Sequence, residues 1–295
     1  MNHTTSKLNL GIITIATGRY YDEFIPALKD SIDQYFDSSQ IQLQFYCFTD
    51  VPQVRGDIIR IPITHLAWPF STLMRFYWIR QYFDALLKND FLLYMDADMK
   101  VVQAIPSDIF LHDLIAVQHP GYLRGSPAFE VDRQESSYLA PQLRRTYYQG
   151  CFWGGNTQSF GQLIHSLSTQ VEQDLKKATI PIWHDESYLN FYMATRNCYS
   201  LPPTYAWPQC DDIGSNQPYV LHLEKPHNQI RQIEDEFLNT QAILSIDANL
   251  QLELYKKLYL ISHEKCQRLE ARLVQKHNWW HRLRERLAFY KKKLK

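Results

Sequence analysis

Two rhythms of apolar residues alternate along the first hundred positions. Leu8 to Ala16 is a largely apolar, β-branched run that ends at Thr17-Gly18, the pattern of a strand buried on both faces. Phe24, Ala27, Leu28, Ile32 and Tyr35 then recur at helical spacing and predict a helix over about 21–36. Ile41 to Phe48 predicts a second strand closed by Thr49-Asp50, and Ile58 to Ile63 a third. Trp68-Pro69 breaks the chain. Ser71 reads as the cap of a helix over 72–87 that carries Met74, Tyr77, Trp78, Tyr82 and Leu86 on its apolar side. Phe91 to Met95 is again continuously apolar and runs straight into Asp96-Ala97-Asp98. Buried strands alternating with helices predict an α/β sheet with a parallel core.

The texture changes after Ile115, where a polar stretch with little periodicity predicts a long loop region through His119-Pro120-Gly121. Tyr147 to Gly155 predicts an aromatic strand ending in a glycine pair, where backbone either approaches a neighbour closely or turns with positive φ. Helices are predicted over about 157–177 and, after Pro181 to Ser187, through Met193. Beyond Arg231 the chain becomes strongly helical. Leu273, Trp280, Leu287 and Leu294 recur every seven residues opposite Arg282, Arg284, Arg286, Lys291, Lys292 and Lys293. That stripe fits a basic amphipathic helix on an anionic membrane surface, and equally a helix docked on its own domain or on a second copy. The concentration of basic residues favours the membrane. The predicted organisation is a catalytic domain over 1–235 and a helical, basic extension over 236–295.

Composition narrows the function classes. A 45% hydrophobic, 14% aromatic chain of 295 residues is globular and large enough for a sizeable core. Its formal net charge of zero gives no steering toward nucleic acid. The five cysteines form no Cys-x-x-Cys pair, which argues against a disulfide framework or structural zinc and suits a reducing compartment. No apolar run is long enough to span a bilayer and no signal-peptide core opens the chain. The expected location is cytoplasmic, with the inner face of the membrane as the site of any peripheral attachment.

Asp96 and Asp98 carry the first candidate chemistry. Two carboxylates at a strand end offer hard oxygen ligands for Mg²⁺ or Mn²⁺, with a phosphate completing the shell. On spacing alone they equally fit two solvated acids opening a turn.

The chain resembles the family 6 glycosyltransferases, the family of the histo-blood-group A and B transferases and α1,3-galactosyltransferase. The resemblance runs from about Leu8 to Arg231. It rests on His119-Pro120-Gly121, on the strand from Tyr147 to Gly155, and on Trp183-His184-Asp185-Glu186-Ser187 with Leu189-Asn190. It implies a GT-A fold, a UDP-sugar donor, Mn²⁺ (or Mg²⁺), and transfer of galactose or N-acetylgalactosamine with retention of the α configuration, usually onto the 3-hydroxyl of a β-galactoside. By the same resemblance, Ile15, Ala16, Thr17 and Tyr20 hold uridine, and Arg75 contacts the diphosphate region. Asp96 and Asp98 bind the metal. His119 and Trp183 contact the acceptor, and Gln149 and Cys151 select the donor sugar. Asp185 touches that sugar, Glu186 is the nucleophile, and Lys225 and Arg231 close over the diphosphate.

The chemistry of these groups suits the roles. UDP leaves readily only when its developing charge meets a divalent ion and cations. An ionised Glu186 can trap or stabilise an oxocarbenium ion. Without the resemblance, Glu186 is equally a first-turn carboxylate favoured by a helix dipole. Where the A and B enzymes carry an acidic residue after a Tyr-x-Trp segment, Tyr205-Ala206-Trp207 is followed here by Pro208, and Asp211 or Asp212 are the substitutes within reach. Many bacterial members have Asn-x-Asn and work without metal; both positions are Asp here, so metal dependence is expected. The animal members' N-terminal anchor is absent, which implies a soluble, bacterial-like form. The alternatives are a carbohydrate-binding protein with a degenerate transferase fold and a retaining transferase using another UDP-sugar. The implied partners are the UDP-sugar, a glycan acceptor that could be lipid-linked, and the anionic membrane surface.

Overall fold

The computed structural model describes residues 7–122, 127, 129–133, 135–177, 179–211 and 217–225. The chain divides into Met1–Ser245 and Ile246–Lys295, and everything below belongs to the first unit. The predicted extension over 236–295, with its membrane reading, lies outside the described residues.

In chain order the elements are β1 (Leu8–Ile15), α1 (Arg19–Tyr35), β2 (Ile41–Thr49), β3 (Ile59–Pro62), α2 (Phe70–Leu73), α3 (Arg75–Gln81), β4 (Phe91–Met95), β5 (Met99–Val101), β6 (Leu114–Gln118), β7 (Tyr148–Asn156), α4 (Thr157–Lys176), α5 (Asp185–Ala194), β8 (Tyr199–Leu201), β9 (Trp207–Pro208) and β10 (Val220–His222). Seven strands form one sheet in the order β3-β2-β1-β4-β7-β6-β8, and β5, β10 and β9 form a small second sheet. This is the α/β, GT-A-like arrangement that the resemblance implies. The β3, β2, β1 and β4 strands are parallel neighbours. β7 then runs antiparallel to both β4 and β6.

β4 is the hinge of the architecture. All five of its residues are buried, as its continuous apolar run requires. Phe91, Leu93 and Met95 belong to the core beneath α1, with Leu10, Ile12, Ile25 and Leu28. Tyr94, on the alternate face, stacks on Trp153 of β7 at 4.8 Å, and Trp153 continues to Phe160 of α4 at 5.2 Å and Phe76 of α3 at 5.9 Å. The glycine pair of β7 serves close approach. A Cβ on Gly154 would lie 2.5 Å from the Leu92 carbonyl oxygen, and one on Gly155 would lie 2.3 Å from that of Asp113.

Three local expectations are corrected. Leu114 to Gln118, which runs into the predicted loop region, is a strand between β7 and β8 with a register shift near Ala116. The helix predicted over 72–87 is two helices parted at Met74 (φ −78°, ψ 0°), followed by a 3₁₀ turn over Phe83–Leu86. Apolar spacing runs through the break unchanged, so periodicity does not betray it. Ser71 lies inside α2 and does not cap it; Pro69, after a cis peptide bond from Trp68, occupies the N-cap position. Among the described residues no helix is long and apolar enough to cross a membrane.

Candidate active site

The parallel strands deliver their carboxyl ends to one cavity, as strand ends in α/β sheets do. The turn leaving β1 supplies its first wall. Ala16 is 1% exposed and donates its N–H to the Phe48 carbonyl at 2.9 Å, so it packs beneath the turn while Ile15 and Thr17 face the cavity. Gly18 adopts φ 55°, which favours glycine, and donates its N–H to Asp50 Oδ1 at the end of β2 (2.9 Å). Tyr20 opens α1 beside it. The cavity has a volume of about 270 Å³, and Arg75, Asp96, Asp98 and Lys225 line its far side.

Asp96 follows the last residue of β4. It accepts a hydrogen bond from the Tyr94 hydroxyl at 2.9 Å, and its backbone N–H is tied to the Cys151 carbonyl at 2.9 Å. Asp98 is 2% exposed and meets Lys225 and His222, the latter with Nε2 at 3.3 Å. Burial works against its charge, yet His222 and Lys225 prevail and hold its pKa below the ordinary carboxylate value. The two acids converge through the turn between β4 and β5.

Sequence reasoning missed His222. Nothing in Val220-Leu221-His222 marks a site. The pairing of β10 with β5 sets His222 against Met99, and Leu223 N–H bonds the Asp98 carbonyl at 2.8 Å. One ligand atom each from Asp96, Asp98 and His222 lie within 4.8 Å of one another. Two carboxylates and an imidazole fit a divalent cation.

Arg75 is the buried hub between the acidic pair and α5. Beginning α3 after the break at Met74, it is 5% exposed and lies 4.7 Å over the Tyr94 ring. Its guanidinium reaches Asp185 Oδ2 at 3.1 Å, Asp96 Oδ1 at 3.4 Å and the Gly150 carbonyl at 2.9 Å. Asp185 and Glu186 open α5, directly after His184, whose φ of 52° is unusual for a residue with a side chain. Asn190 staples α5 to β7: its Oδ1 accepts Tyr148 N–H at 2.7 Å and its Nδ2 donates to the Tyr148 carbonyl at 2.8 Å. Glu186 Oε2 accepts the Gly150 N–H at 2.8 Å. The Tyr147 hydroxyl is turned toward the same carboxylate without forming a well-shaped hydrogen bond. Burial raises both acids, Asp185 to about 6 against the pull of Arg75, and Glu186 to about 7 against Gly150 and Tyr147.

Beyond Glu186 lies an aromatic cluster. Tyr147, Phe129 and Leu139 form a small core on which Tyr122 and Trp183 pack. His119 borders it, 4.8 Å from Tyr122, and burial lowers its pKa to about 4. Trp183 Nε1 is buried and has no hydrogen-bond partner.

The structure therefore gathers Ile15, Thr17, Tyr20, Arg75, Asp96, Asp98 and Lys225 around one cavity. Arg75 holds Asp185 beside it, and Glu186 adjoins Asp185. Two further residues of β7 stand next to this group. Cys151 is 2% exposed and packs in the core, close enough to Asp96, Asp98, Glu186 and Arg75 for their charges to act on its thiol. Gln149 is engaged with His222, Nε2 to Nδ1 at 3.0 Å, and its Oε1 is buried without a partner. Asp211 is exposed, whereas Asp212 and Arg231 lie outside the described residues.

Comparison with known proteins agrees with this arrangement. Residues 1–232 match the model of glycosyltransferase family 6. The chain is similar to the O-antigen biosynthesis glycosyltransferase WbnI of Escherichia coli, 33% identical over 68% of this chain and 88% of that protein. It is also similar to histo-blood group ABO system transferase 2 of Rattus norvegicus (25% identical; 74% of this chain, 70% of that one). A third relative is alpha-1,3-galactosyltransferase 2 of Homo sapiens (24% identical; 76% and 71%). The match covers the turn after β1, the acidic pair, β7 and α5 in one continuous span, and by that span the chain belongs to glycosyltransferase family 6.

Proposed function

We propose that this glycosyltransferase moves galactose or N-acetylgalactosamine from a UDP donor to a glycan hydroxyl, the 3-hydroxyl of a β-galactoside, with retention of the α configuration. The observation that carries the reading is the position of Glu186, a buried carboxylate fixed by the Gly150 N–H between the acidic cavity and an aromatic cluster. A retaining transfer needs such a group on the face of the sugar opposite the leaving diphosphate.

In this mechanism Ile15, Thr17 and Tyr20 receive the uridine, while Asp96 and Asp98 would hold the divalent ion, Mn²⁺ or Mg²⁺, which when bound would offset charge developing on the departing diphosphate. Lys225 sits on Asp98 and over the Tyr20 ring at 5.7 Å, between the two halves of the nucleotide site, and can turn its ammonium to the phosphates. Asp185, braced by Arg75, orients the sugar hydroxyls. As the anomeric C–O bond to UDP breaks, ionised Glu186 stabilises the oxocarbenium ion or traps it as a covalent ester. The acceptor oxygen then forms the new glycosidic bond on the α face, on the covalent route by breaking the anomeric bond to Glu186 and releasing its carboxylate, and the acceptor proton passes to the departing phosphate oxygen. His119 and Trp183 receive the acceptor, and the unpartnered Trp183 N–H suits a sugar hydroxyl.

The direct test is UDP release from UDP-galactose, UDP-N-acetylgalactosamine and UDP-glucose, with and without Mn²⁺, and NMR of the product anomer. Turnover is expected with one of the first two donors, dependent on the ion, giving an α product. Glycan binding without turnover on any donor would make the protein a carbohydrate-binding relative. A β product would end the retaining assignment.

The acceptor assignment has its own check. Trp183→Ala is expected to raise the acceptor KM about 10-fold, the scale of losing one aromatic–sugar contact, while the donor KM moves less than about 2-fold. An unchanged acceptor KM would remove Trp183 from that site.

A further inference from the structure

We propose that His222 is a third protein ligand of the divalent cation, binding it through Nε2 beside Asp96 and Asp98. The proposal rests on the metal-dependent reading above and adds to it a residue that no motif contains.

Three observations converge. First, the donor atoms of the three side chains lie within 4.8 Å of one another. An ion with ligands at about 2.1 Å spans up to about 4.2 Å between opposite ligands, so movements of a few tenths of an ångström bring the set onto one centre. Second, the approach is built by backbone. β10 pairs with β5 immediately after the Asp96-Ala97-Asp98 turn, and the Leu223 N–H to Asp98 carbonyl bond locks the two segments together. His222 is therefore carried on a strand, and its Nε2 already faces Asp98 Oδ2 at 3.3 Å.

The third observation lies behind the ring. Gln149 of β7 reaches His222 Nδ1 at 3.0 Å, and its Oε1 is buried with no partner. Nearly every metal-binding histidine carries a hydrogen-bonding group on its second nitrogen, which fixes the tautomer and aims the ring. An amide serves both tautomers. With Gln149 Nε2 donating to Nδ1, the imidazole proton is on Nε2 and points at Asp98. With the amide turned over, Oε1 accepts a proton on Nδ1 and the Nε2 lone pair is free for the cation. A half-turn of one side chain thus exchanges a hydrogen bond to Asp98 for a ligand bond, with one proton moving from Nε2 to Nδ1 by way of solvent.

Imidazole also changes which ion is preferred. It favours first-row transition ions over Mg²⁺, which selects oxygen. The three-ligand site is therefore selective for Mn²⁺, where two carboxylates and a diphosphate alone would discriminate less.

The test uses the full chain with Mn²⁺ and UDP. Pulsed electron paramagnetic resonance of the Mn²⁺–UDP complex should show one directly bound nitrogen, shifted when the histidines carry ¹⁵N and absent in His222→Ala. The Mn²⁺ Kd at saturating UDP should weaken at least about 10-fold in that variant, the loss that even a supporting residue of a metal site produces. The preference for Mn²⁺ over Mg²⁺ should narrow with it. Mn²⁺ bound by the wild type without nitrogen coupling overturns the role of His222 and leaves the acidic pair as the metal site. An unchanged Kd in a variant whose circular dichroism matches wild type overturns that role equally. Failure of the wild type to bind Mn²⁺ with or without UDP overturns both this inference and the metal-dependent reading.

Discussion

Asp98→Asn is expected to lower kcat by at least ~10²-fold, the scale of losing one preorganised electrostatic element, and Asp96→Asn by a similar factor. The two substitutions should differ in a second respect. Asp98 is the counter-ion of Lys225, accepts from His222 and is 2% exposed, so neutralising it leaves a largely buried ammonium unbalanced. Asp98→Asn should therefore also reduce thermal stability, whereas Asp96, with 24% of its side chain exposed, should cost activity with little loss of stability. Kinetics in Mn²⁺ and in EDTA, with melting temperatures alongside, read both effects. Full activity in EDTA together with an active double Asn variant would remove the acidic pair from the chemistry.

Glu186→Gln is the second large effect, a fall in kcat of about 10³-fold or more with UDP affinity unchanged within a few-fold, because the lost interaction is made in the transition state. In the wild type, kcat/KM should fall as pH drops through about 7, where burial sets the titration of Glu186. Stability should move the other way. The folded pKa of Glu186 lies above its unfolded value of 4.5. Its contribution is therefore fully present below that value and is lost as pH rises through about 7. Above pH 8 the ionised, buried carboxylate should cost up to ~3 kcal/mol, and glutamine, which can still accept the Gly150 N–H, should recover much of it. Urea unfolding of the two proteins at pH 8 and pH 5 measures this directly. A variant that is less stable at pH 8, or one that loses UDP binding, would mark Glu186 as structural.

The strands β1, β2 and β4 and the helices α1, α4 and α5 were legible because their signals are local. A strand buried on both faces has to be continuously apolar, and an amphipathic helix has to repeat every three to four residues. β6 was not legible. Leu114 to Val117 has the same apolar character and length as β4, but it abuts a polar stretch, and what makes it a strand is its pairing with β7 and β8. The direction of β7 is likewise set by where the chain returns from the connection over 119–147, not by the residues of the strand. At the site, motif-bearing residues could be read and those placed by topology could not. Arg75 was legible by resemblance, but its burial against Asp96 and Asp185 depends on the break at Met74. His222 reaches Asp98 across 124 positions of sequence through a three-residue strand. Cys151 and Gln149 were read from the strand alone, and their surroundings, a core-packed thiol and an amide on the His222 imidazole, come from strands that the sequence does not place.

His184 sets the direction in which α5 begins. At φ 52° and ψ −124° its backbone lies where a side chain costs about 1–3 kcal/mol, and the residue is 5% exposed with its ring tilted against Trp68 at 4.7 Å. Glycine would suit the backbone and forfeit the ring, so the position is governed by two requirements that no residue type meets together. Descendants of this sequence that drift toward a more comfortable backbone at 184 would be sturdier proteins whose Asp185 and Glu186 no longer start from a fixed point. Those that keep the histidine inherit a standing tension one residue before the carboxylates. Sequence change here is confined by what the next two side chains need, and position 184 should therefore vary less than its own contacts would suggest.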